Sequence, residues 1–126
     1  MEAPVPASAL IHSATLVSAG VFLLLRLNVL MSLSCIAASV VPVAGALTAF
    51  LGGCVATAQT DLKRVLAYST MSHCGFLFVL ASLGAVEHTL LYLFVHGFFK
   101  ASSFMCVGSI LRHTRGYQDV RRMGGL

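Results

Sequence analysis

Charged residues are scarce in this sequence. Only 10% of the 126 residues are Asp, Glu, Lys or Arg, whereas 58% are hydrophobic, and residues 29–59 contain no charged side chain. An ordinary soluble domain carries about 25% charged residues, so this composition indicates a membrane protein. The net charge of +4 does not indicate nucleic-acid binding. Most basic residues lie between apolar runs or in the tail, where membrane proteins carry their positive-inside residues.

Motifs of soluble enzymes and electron carriers are also missing. The four cysteines lie inside apolar runs without metal-ligand spacing, which favours buried structural thiols: Cys35, Cys54, Cys74 and Cys106. No nucleophile stands beside a base, no phosphate-binding loop is present, and no span carries two histidines four residues apart. These absences predict that the chain itself holds no catalytic site, metal or cofactor.

Four long apolar runs dominate what is present. Since a membrane-spanning helix needs about 20 apolar residues, they predict an all-α, polytopic transmembrane helix bundle fragment with about four spans. We place the spans at residues 7–26, 30–57, 65–83 and 89–111, before a polar tail at 112–126, and treat residues 1–126 as a single transmembrane segment. In the second run, Pro42 predicts a kink. Ala44, Thr48 and Gly52 recur every four residues there and predict close helix packing.

Basic residues are distributed unevenly around these spans. Four spans place the N-terminus, the loop at Asp61 and the tail on one side, and the turns near Arg26 and Glu87 on the other. The first side carries six basic residues and the second one; the six are Lys63, Arg64, Arg112, Arg115, Arg121 and Arg122. The positive-inside rule therefore predicts both termini on the cytoplasmic side, or the matrix side in a mitochondrion. Asp61 is placed to cap the third span.

Lys100 is the most informative residue because it lies at the centre of the fourth run. A lysine at the bilayer centre costs on the order of +2.5 to +3.5 kcal/mol on insertion scales, so we expect it to face a bundle interior or a wet path. His96 lies four residues earlier on the same helical face, which Tyr92 and Ser103 extend. The spacing predicts a ladder of these four side chains, suited to relaying protons through bridging waters.

Structural interpretations stay open beside this one. Lys100 and His96 are alternatively a buried pair that only fixes helix packing. His73, near the centre of the third span, and His12, in the first, are alternatively histidines whose hydrogen bonds are satisfied inside the bundle. The loop residues are either ordinary positive-inside residues or a coupling loop: Asp61, Lys63 and Arg64.

Four blocks of the sequence resemble a known family. They read PVPASALIHSATLVSAGVFLLLR, QTDLKRVLAYSTMS, HGFFKASSFMCVGSI and QDVRRMGGL. Their sequences, order and spacing resemble chain 5 of NADH:ubiquinone oxidoreductase (respiratory complex I), an antiporter-like membrane subunit, over its helices eight to eleven. Subunits of cation/proton antiporter complexes share these motifs, but the LIHSAT and QDVRRMGGL blocks favour the complex I branch.

The resemblance implies a membrane-arm subunit that couples NADH oxidation to proton pumping. It implies that His12, His96 and Lys100 belong to a central hydrophilic axis, and that Lys63 corresponds to a basic residue in the loop before the tenth helix. Tyr92 stands where many members carry a histidine, and the phenol can still pass hydrogen bonds. We therefore keep Tyr92 among the translocation residues.

His73 and the length of the chain both depart from the family pattern. His73 stands where the family often has glutamine, and we expect it to supply a further polar site on the neighbouring helix. Family members are several times longer, so we expect the missing helices to come from a split subunit's other pieces or from further parts of one chain. The expected partners are those pieces, other membrane-arm subunits of complex I and membrane lipids, but no nucleic acid.

The resemblance also implies where the redox chemistry lies. NADH, FMN, iron–sulfur clusters and ubiquinone are expected on other subunits, with this chain in the mitochondrial inner membrane or, alternatively, a bacterial plasma membrane. Two other functions remain. One is a subunit of a cation/proton antiporter complex; the other is a non-conducting scaffold fragment retained for assembly.

Overall fold

A computed structural model describes residues 2–125. The helical elements are α1 (Val5–Ala9), a π-helical turn (Leu10–Thr15), α2 (Leu16–Arg26), α3 (Asn28–Leu33), α4 (Cys35–Ala58), α5 (Leu62–Ser82), α6 (Val86–His113) and a 3₁₀ turn (Val120–Arg122). Within the described residues no strand forms, and the β-type pairing is an isolated antiparallel bridge between Asp61 and Asp119. The predicted all-α bundle is confirmed.

Four helical stretches are long and apolar enough to cross a membrane: Val5–Arg26, Cys35–Ala58, Leu62–Ser82 and Val86–His113. The chain is therefore a multi-pass membrane protein, as predicted. The fourth span extends beyond the predicted 89–111 at both ends, so the predicted tail begins inside the last turn of α6. Its C-terminal extension carries Arg112 and His113, basic residues that suit the negative end of a helix dipole.

The first span contains a π-helical turn that the prediction of a regular helix over 7–26 did not include. His12 lies within this turn, at Leu10–Thr15. Thr15 Oγ1 donates a hydrogen bond to the carbonyl of Leu10, five residues back, at 2.7 Å. Ser and Thr hydroxyls commonly bond preceding carbonyls in helices, and such bonds accompany local irregularities of the helix. Thr15 thus provides a side-chain hydrogen-bond donor that spans the wider π-helical turn.

The second span begins later than the predicted residue 30. Ser34 is extended, with φ −108° and ψ 108°, and separates α3 from α4. Its side chain accepts a hydrogen bond from the backbone N–H of Ala37 at 3.4 Å, an N-cap interaction that favours a new helix start. The helix then runs through Pro42 without interruption. The break in this apolar run is therefore set by a serine cap and not by the proline.

Helices α4 and α5 pack closely through small residues. The buried positions on α4 are Gly45, Ala49 and Gly52. A Cβ added at Gly75 on α5 would lie 2.5 Å from the carbonyl oxygen of Gly45, so the two backbones are almost in contact. The predicted stripe was right at Gly52 but wrong by one residue at its other two positions, because Ala44 is exposed and Thr48 only half-buried. Alternating steps of four and three follow the 3.6-residue period, whereas repeated steps of four drift around the helix.

Three chain segments meet at one end of the bundle. The N–H of Leu62 donates to the carbonyl of Gln118 at 3.2 Å, which joins the tail to the α4–α5 connection. Lys63 Nζ donates to the carbonyl of Ala3 at 3.0 Å and brings the N-terminal lead to the same place. The N-terminal lead, this connection and the tail therefore share one end, as expected for four spans of alternating direction.

The cysteines do not form a buried set. Three are exposed and Cys74 is half-buried; the exposed ones are Cys35, Cys54 and Cys106. The prediction of buried thiols was wrong for these three, because a membrane helix is apolar on its outer faces as well as its inner ones. An apolar sequence environment therefore does not indicate burial in such a helix.

Candidate functional site

Polar side chains face one another between α5 and α6. Lys100, near the midpoint of α6, is only 2% exposed, and His96, one helical turn earlier, is 5% exposed. Both side chains therefore face the bundle interior, where a polar group depends on partners from neighbouring helices. Tyr92 on α6 and His73 on α5 are half-buried beside them.

The hydrogen-bond partner of Lys100 comes from α5. Its Nζ donates to Ser69 Oγ at 2.5 Å. The predicted continuation of the ladder to Ser103 was wrong, because the Ser103 hydroxyl donates to the carbonyl of Phe99 at 2.8 Å. Helical side chains tilt toward the N-terminus of their helix, which carries the Lys100 ammonium away from Ser103. The polar path therefore passes between two helices instead of continuing along one.

His73, Tyr92 and His96 form a compact group of rings. His73 Nδ1 and the Tyr92 hydroxyl are hydrogen-bonded across the two helices. The ring centroid of His73 lies 5.1 Å from that of His96, and the Tyr92 and His96 centroids are 6.4 Å apart. Each imidazole can both donate and accept, so the group can reorient its hydrogen bonds without large movements.

One ring atom in this group has no hydrogen-bond partner. Nε2 of His96 is buried and has none among residues 2–125. A buried polar atom without a partner costs about 1–3 kcal/mol.

The acidic residues of the chain lie outside the middle of the spans. They are Glu2, Asp61, Glu87 and Asp119. Glu87 is in the first turn of α6, at the opposite end of the bundle from Asp61. Within residues 2–125, Lys100 therefore has a neutral hydroxyl as its hydrogen-bond partner and no carboxylate in an ion pair. A carboxylate partner would hold the lysine proton more tightly than a hydroxyl does.

His12 lies in a different setting from the other candidates. Its half-buried side chain lines a cavity of about 660 Å³ together with Tyr68, Thr70 and Cys74 of α5. Within the part of the chain that the structure describes, no hydrogen bond or ring contact joins it to the His73 group. The structure thus brings four predicted residues together, namely His73, Tyr92, His96 and Lys100, and leaves His12 on a separate cavity wall.

The three predicted coupling-loop residues do not behave alike. The prediction of a loop was wrong for Lys63 and Arg64, because α5 begins at Leu62, before the predicted residue 65, and includes both of them. Lys63 is only 5% exposed and reaches the carbonyl of Ala3, so it is not an ordinary surface cation. Arg64 is exposed, and its Nε lies 3.4 Å from Asp61 Oδ2. Asp61 occupies the N-cap position of α5, but its side chain makes no capping hydrogen bond there, contrary to the prediction. The carboxylate instead faces the nearby guanidinium, which a charge-assisted interaction favours.

Ser69 is the site residue that sequence reasoning missed. It lies four residues before His73, so both side chains share one face of α5. That spacing was a usable signal. The spacing alone does not identify the contact with Lys100, because a serine in an apolar helix most often bonds its own backbone.

Comparison with known proteins assigns the chain to a family. The protein-family model described as "NADH:quinone oxidoreductase/Mrp antiporter, TM" matches residues 1–126. The chain belongs to this family. The resemblance noted from the four sequence blocks is thereby confirmed.

Relatives of the chain carry two names, NADH-ubiquinone oxidoreductase chain 5 and NADH-quinone oxidoreductase subunit L. The chain is 62% identical over 124 residues to NADH-ubiquinone oxidoreductase chain 5 of Paramecium tetraurelia, covering 98% of the chain and 22% of the relative. It is 45% identical to chain 5 of Metridium senile, covering all of the chain and 21% of the relative. It is also 45% identical to NADH-quinone oxidoreductase subunit L of Rhodobacter capsulatus, covering all of the chain and 18% of the relative. The chain spans about a fifth of the length of these relatives.

Proposed function

We propose that the chain is a proton-translocating segment of the chain 5 type in the membrane arm of an NADH:ubiquinone oxidoreductase. Protons pass through the group formed by Lys100, His96, His73 and Tyr92, with His12 serving a neighbouring cavity. The observation that carries the proposal is Lys100 itself, a 2% exposed lysine at the middle of a membrane helix, held by a hydroxyl. An ionisable residue inside the membrane marks a functional site by default.

The side chains suit stepwise transfer. An imidazole accepts a proton on one nitrogen while releasing one from the other, so His73 and His96 can pass protons by reorienting their hydrogen bonds. The Tyr92 hydroxyl both donates and accepts, which lets it extend the path from His73. Within the described residues Lys100 has no carboxylate beside it that would hold its proton. Lys100 can therefore act as a site that is charged and discharged in turn.

The chain would contribute proton movement and no electron transfer. NADH oxidation, with FMN, iron–sulfur clusters and ubiquinone, would take place on other subunits, and its energy would reach this chain as electrostatic and conformational change. The partners would be other membrane-arm subunits of complex I, including whatever supplies the remaining helices of the subunit, together with membrane lipids and no nucleic acid. The identity with relatives named NADH-ubiquinone or NADH-quinone oxidoreductase supports this assignment.

The proposed location is the mitochondrial inner membrane, with both termini on the matrix side; a bacterial plasma membrane is the alternative. Support comes from the basic residues at the end of the bundle where the N-terminal lead, the start of α5 and the tail meet. The positive-inside rule directs that end to the matrix or cytoplasm. A coupling role for Asp61, Lys63 and Arg64 fits their place at this end, because Lys63 links the start of α5 to the N-terminal lead.

Replacement of Lys100 tests the proposal. In the assembled complex, Lys100→Ala should reduce proton pumping, measured as membrane potential on NADH oxidation, by about tenfold or more, the scale of losing a positioned proton-transfer group. Assembly should survive, since the change also removes the insertion cost of a midplane charge. Lys100→Arg should impair pumping as well, because arginine keeps its proton.

The scaffold alternative predicts a different pattern in the same experiment. If the chain only supports assembly, Lys100→Arg should be tolerated and Lys100→Ala should act by lowering the amount of complex. A fully assembled Lys100→Ala complex that pumps at the wild-type rate would reject the relay role.

The antiporter alternative has support in the family description, which names Mrp antiporters beside NADH:quinone oxidoreductases. Purification of the native complex separates the two. Recovery of the chain with flavin- and iron–sulfur-containing subunits supports the oxidoreductase assignment, whereas recovery only with other antiporter-type membrane subunits overturns it.

A further inference from the structure

Ser69 is the described residue whose side chain hydrogen-bonds Lys100, at 2.5 Å from Nζ to Oγ. Neighbouring hydroxyls on α5 are used differently. Thr70 donates to the carbonyl of Leu66 on its own helix at 2.7 Å, and Ser72 donates to a backbone carbonyl of α4 at 2.9 Å. Ser69 is thus distinguished from the hydroxyls beside it by its contact with an ionisable side chain.

The other titratable groups near Lys100 are few. His96 and Tyr92 on α6 and His73 on α5 form the group of rings beside it, and Cys74 is next to His73 in the chain. Among the other elements packed against α6, α1 carries no titratable side chain, the π-helical turn carries His12, and α2 carries Arg26 in its last turn. A hydroxyl partner consequently acts on Lys100 without a competing carboxylate in the described chain.

A hydroxyl can serve both protonation states of a lysine. Its oxygen accepts a hydrogen bond from the ammonium, and after rotation its O–H donates to the neutral amine. When Lys100 passes its proton to a neighbouring imidazole or water, Ser69 keeps its own proton and turns, so no atom or charge is gained or lost at the serine. An ionised carboxylate in this place could only accept, and would favour the ammonium alone.

We propose that Ser69 is a positioning residue that holds Lys100 in both its protonated and its neutral form. This inference rests on the proposed function, because it assigns Ser69 a part in the charging and discharging of Lys100. It makes Ser69 a determinant of the pH range over which the chain translocates protons.

The test is the pH profile of proton pumping in the assembled complex. In Ser69→Ala both forms of Lys100 lose a hydrogen bond, and the ammonium loses the stronger one. The alkaline limb of the profile should therefore move to lower pH by about one unit, the scale of the difference between a charged and a neutral hydrogen bond. Ser69→Thr keeps a hydroxyl at this position and should therefore show the wild-type profile. Ser103→Ala is the matched control, since that hydroxyl bonds the Phe99 carbonyl on the helix of Lys100 and its loss should leave the profile unchanged.

The outcomes separate this inference from the function on which it rests. A wild-type profile in Ser69→Ala, together with lost pumping in Lys100→Ala, overturns the role of Ser69 and leaves the proposed function standing. Wild-type pumping in Lys100→Ala instead rejects the function itself. If Ser69→Ala does not assemble, Ser69→Cys replaces it, since a thiol fills similar space but hydrogen-bonds weakly. Matching profiles for the cysteine and threonine variants would then contradict the proposal.

Discussion

Helix α5 presents two unlike faces. Toward α4 it offers Gly75, whose backbone nearly touches that of Gly45, and Ser72, whose hydroxyl donates to the carbonyl of Ala49. Toward α6 it offers Ser69 and His73, which contact ionisable or hydrogen-bonding side chains. The first face contacts the backbone of α4, whereas the second joins side chain to side chain.

Under the proposed function, the two faces would divide structural support from proton transfer. Small residues let membrane helices approach closely, and dispersion contacts then hold them in one arrangement. Polar side chains whose alternative hydrogen bonds are similar in energy can exchange partners, and proton transfer requires such an exchange. The close α4–α5 contact therefore provides a fixed support from which Ser69 and His73 reach α6. Changes on the first face should affect the amount of complex, and changes on the second its activity.

Gly75→Ala should have the largest effect. The added Cβ would lie 2.5 Å from the carbonyl oxygen of Gly45 and 2.6 Å from the backbone nitrogen of Ala49, and neither backbone atom can move aside alone. Overpacking costs about 1–3 kcal/mol or more. We expect a cost in the upper part of that range, which should lower the amount of assembled complex on a native gel by about tenfold or more. Gly53→Ala is the control, because its Cβ would meet only Ser72 Oγ at 3.9 Å. Equal amounts of both variants would contradict the close α4–α5 contact.

His73→Phe should have an intermediate effect on activity with little effect on assembly. It removes the hydrogen bond to Tyr92 while keeping an aromatic ring in the group. Pumping per complex should fall several-fold, and Tyr92→Phe should do the same. The double variant should be no worse than either single one, because both remove the same interaction.

An exposed histidine provides the control for that cycle. His88 lies in the first turns of α6 with an exposed side chain, so His88→Phe should pump at the wild-type rate. Strictly additive losses in the His73 and Tyr92 variants would show that the two side chains act independently and that no shared path joins them.

Ser72→Ala should have the smallest effect. It removes one interhelical hydrogen bond of 2.9 Å to the Ala49 carbonyl. Such bonds in membrane helices contribute about 0.6 kcal/mol on average, so assembled complex should fall by about threefold at most. Pumping per assembled complex should be unchanged. A shifted pH profile in this variant would remove the contrast with Ser69, three residues earlier on the same helix.

Much of the fold could be read from the sequence because the membrane simplifies the problem. A span requires a long apolar run with all backbone groups bonded internally, so apolar length alone identified four helices. The boundaries were less accurate where a side chain decided them. Ser34 ends one helix and caps the next, although an apolar count treats it as part of a single run.

The candidate site divides in a similar way. The sequence alone determined that Lys100 is buried near the middle of a helix long enough to span a membrane and that His96 shares its face, because both follow from helix length and from the spacing of four. Only the tertiary structure decided that Ser69 holds Lys100, that His73 meets Tyr92, and that His12 faces a separate cavity. The physical reason is that local periodicity specifies which residues share a face, whereas the rotation and closeness of neighbouring helices depend on packing between residues far apart in the chain.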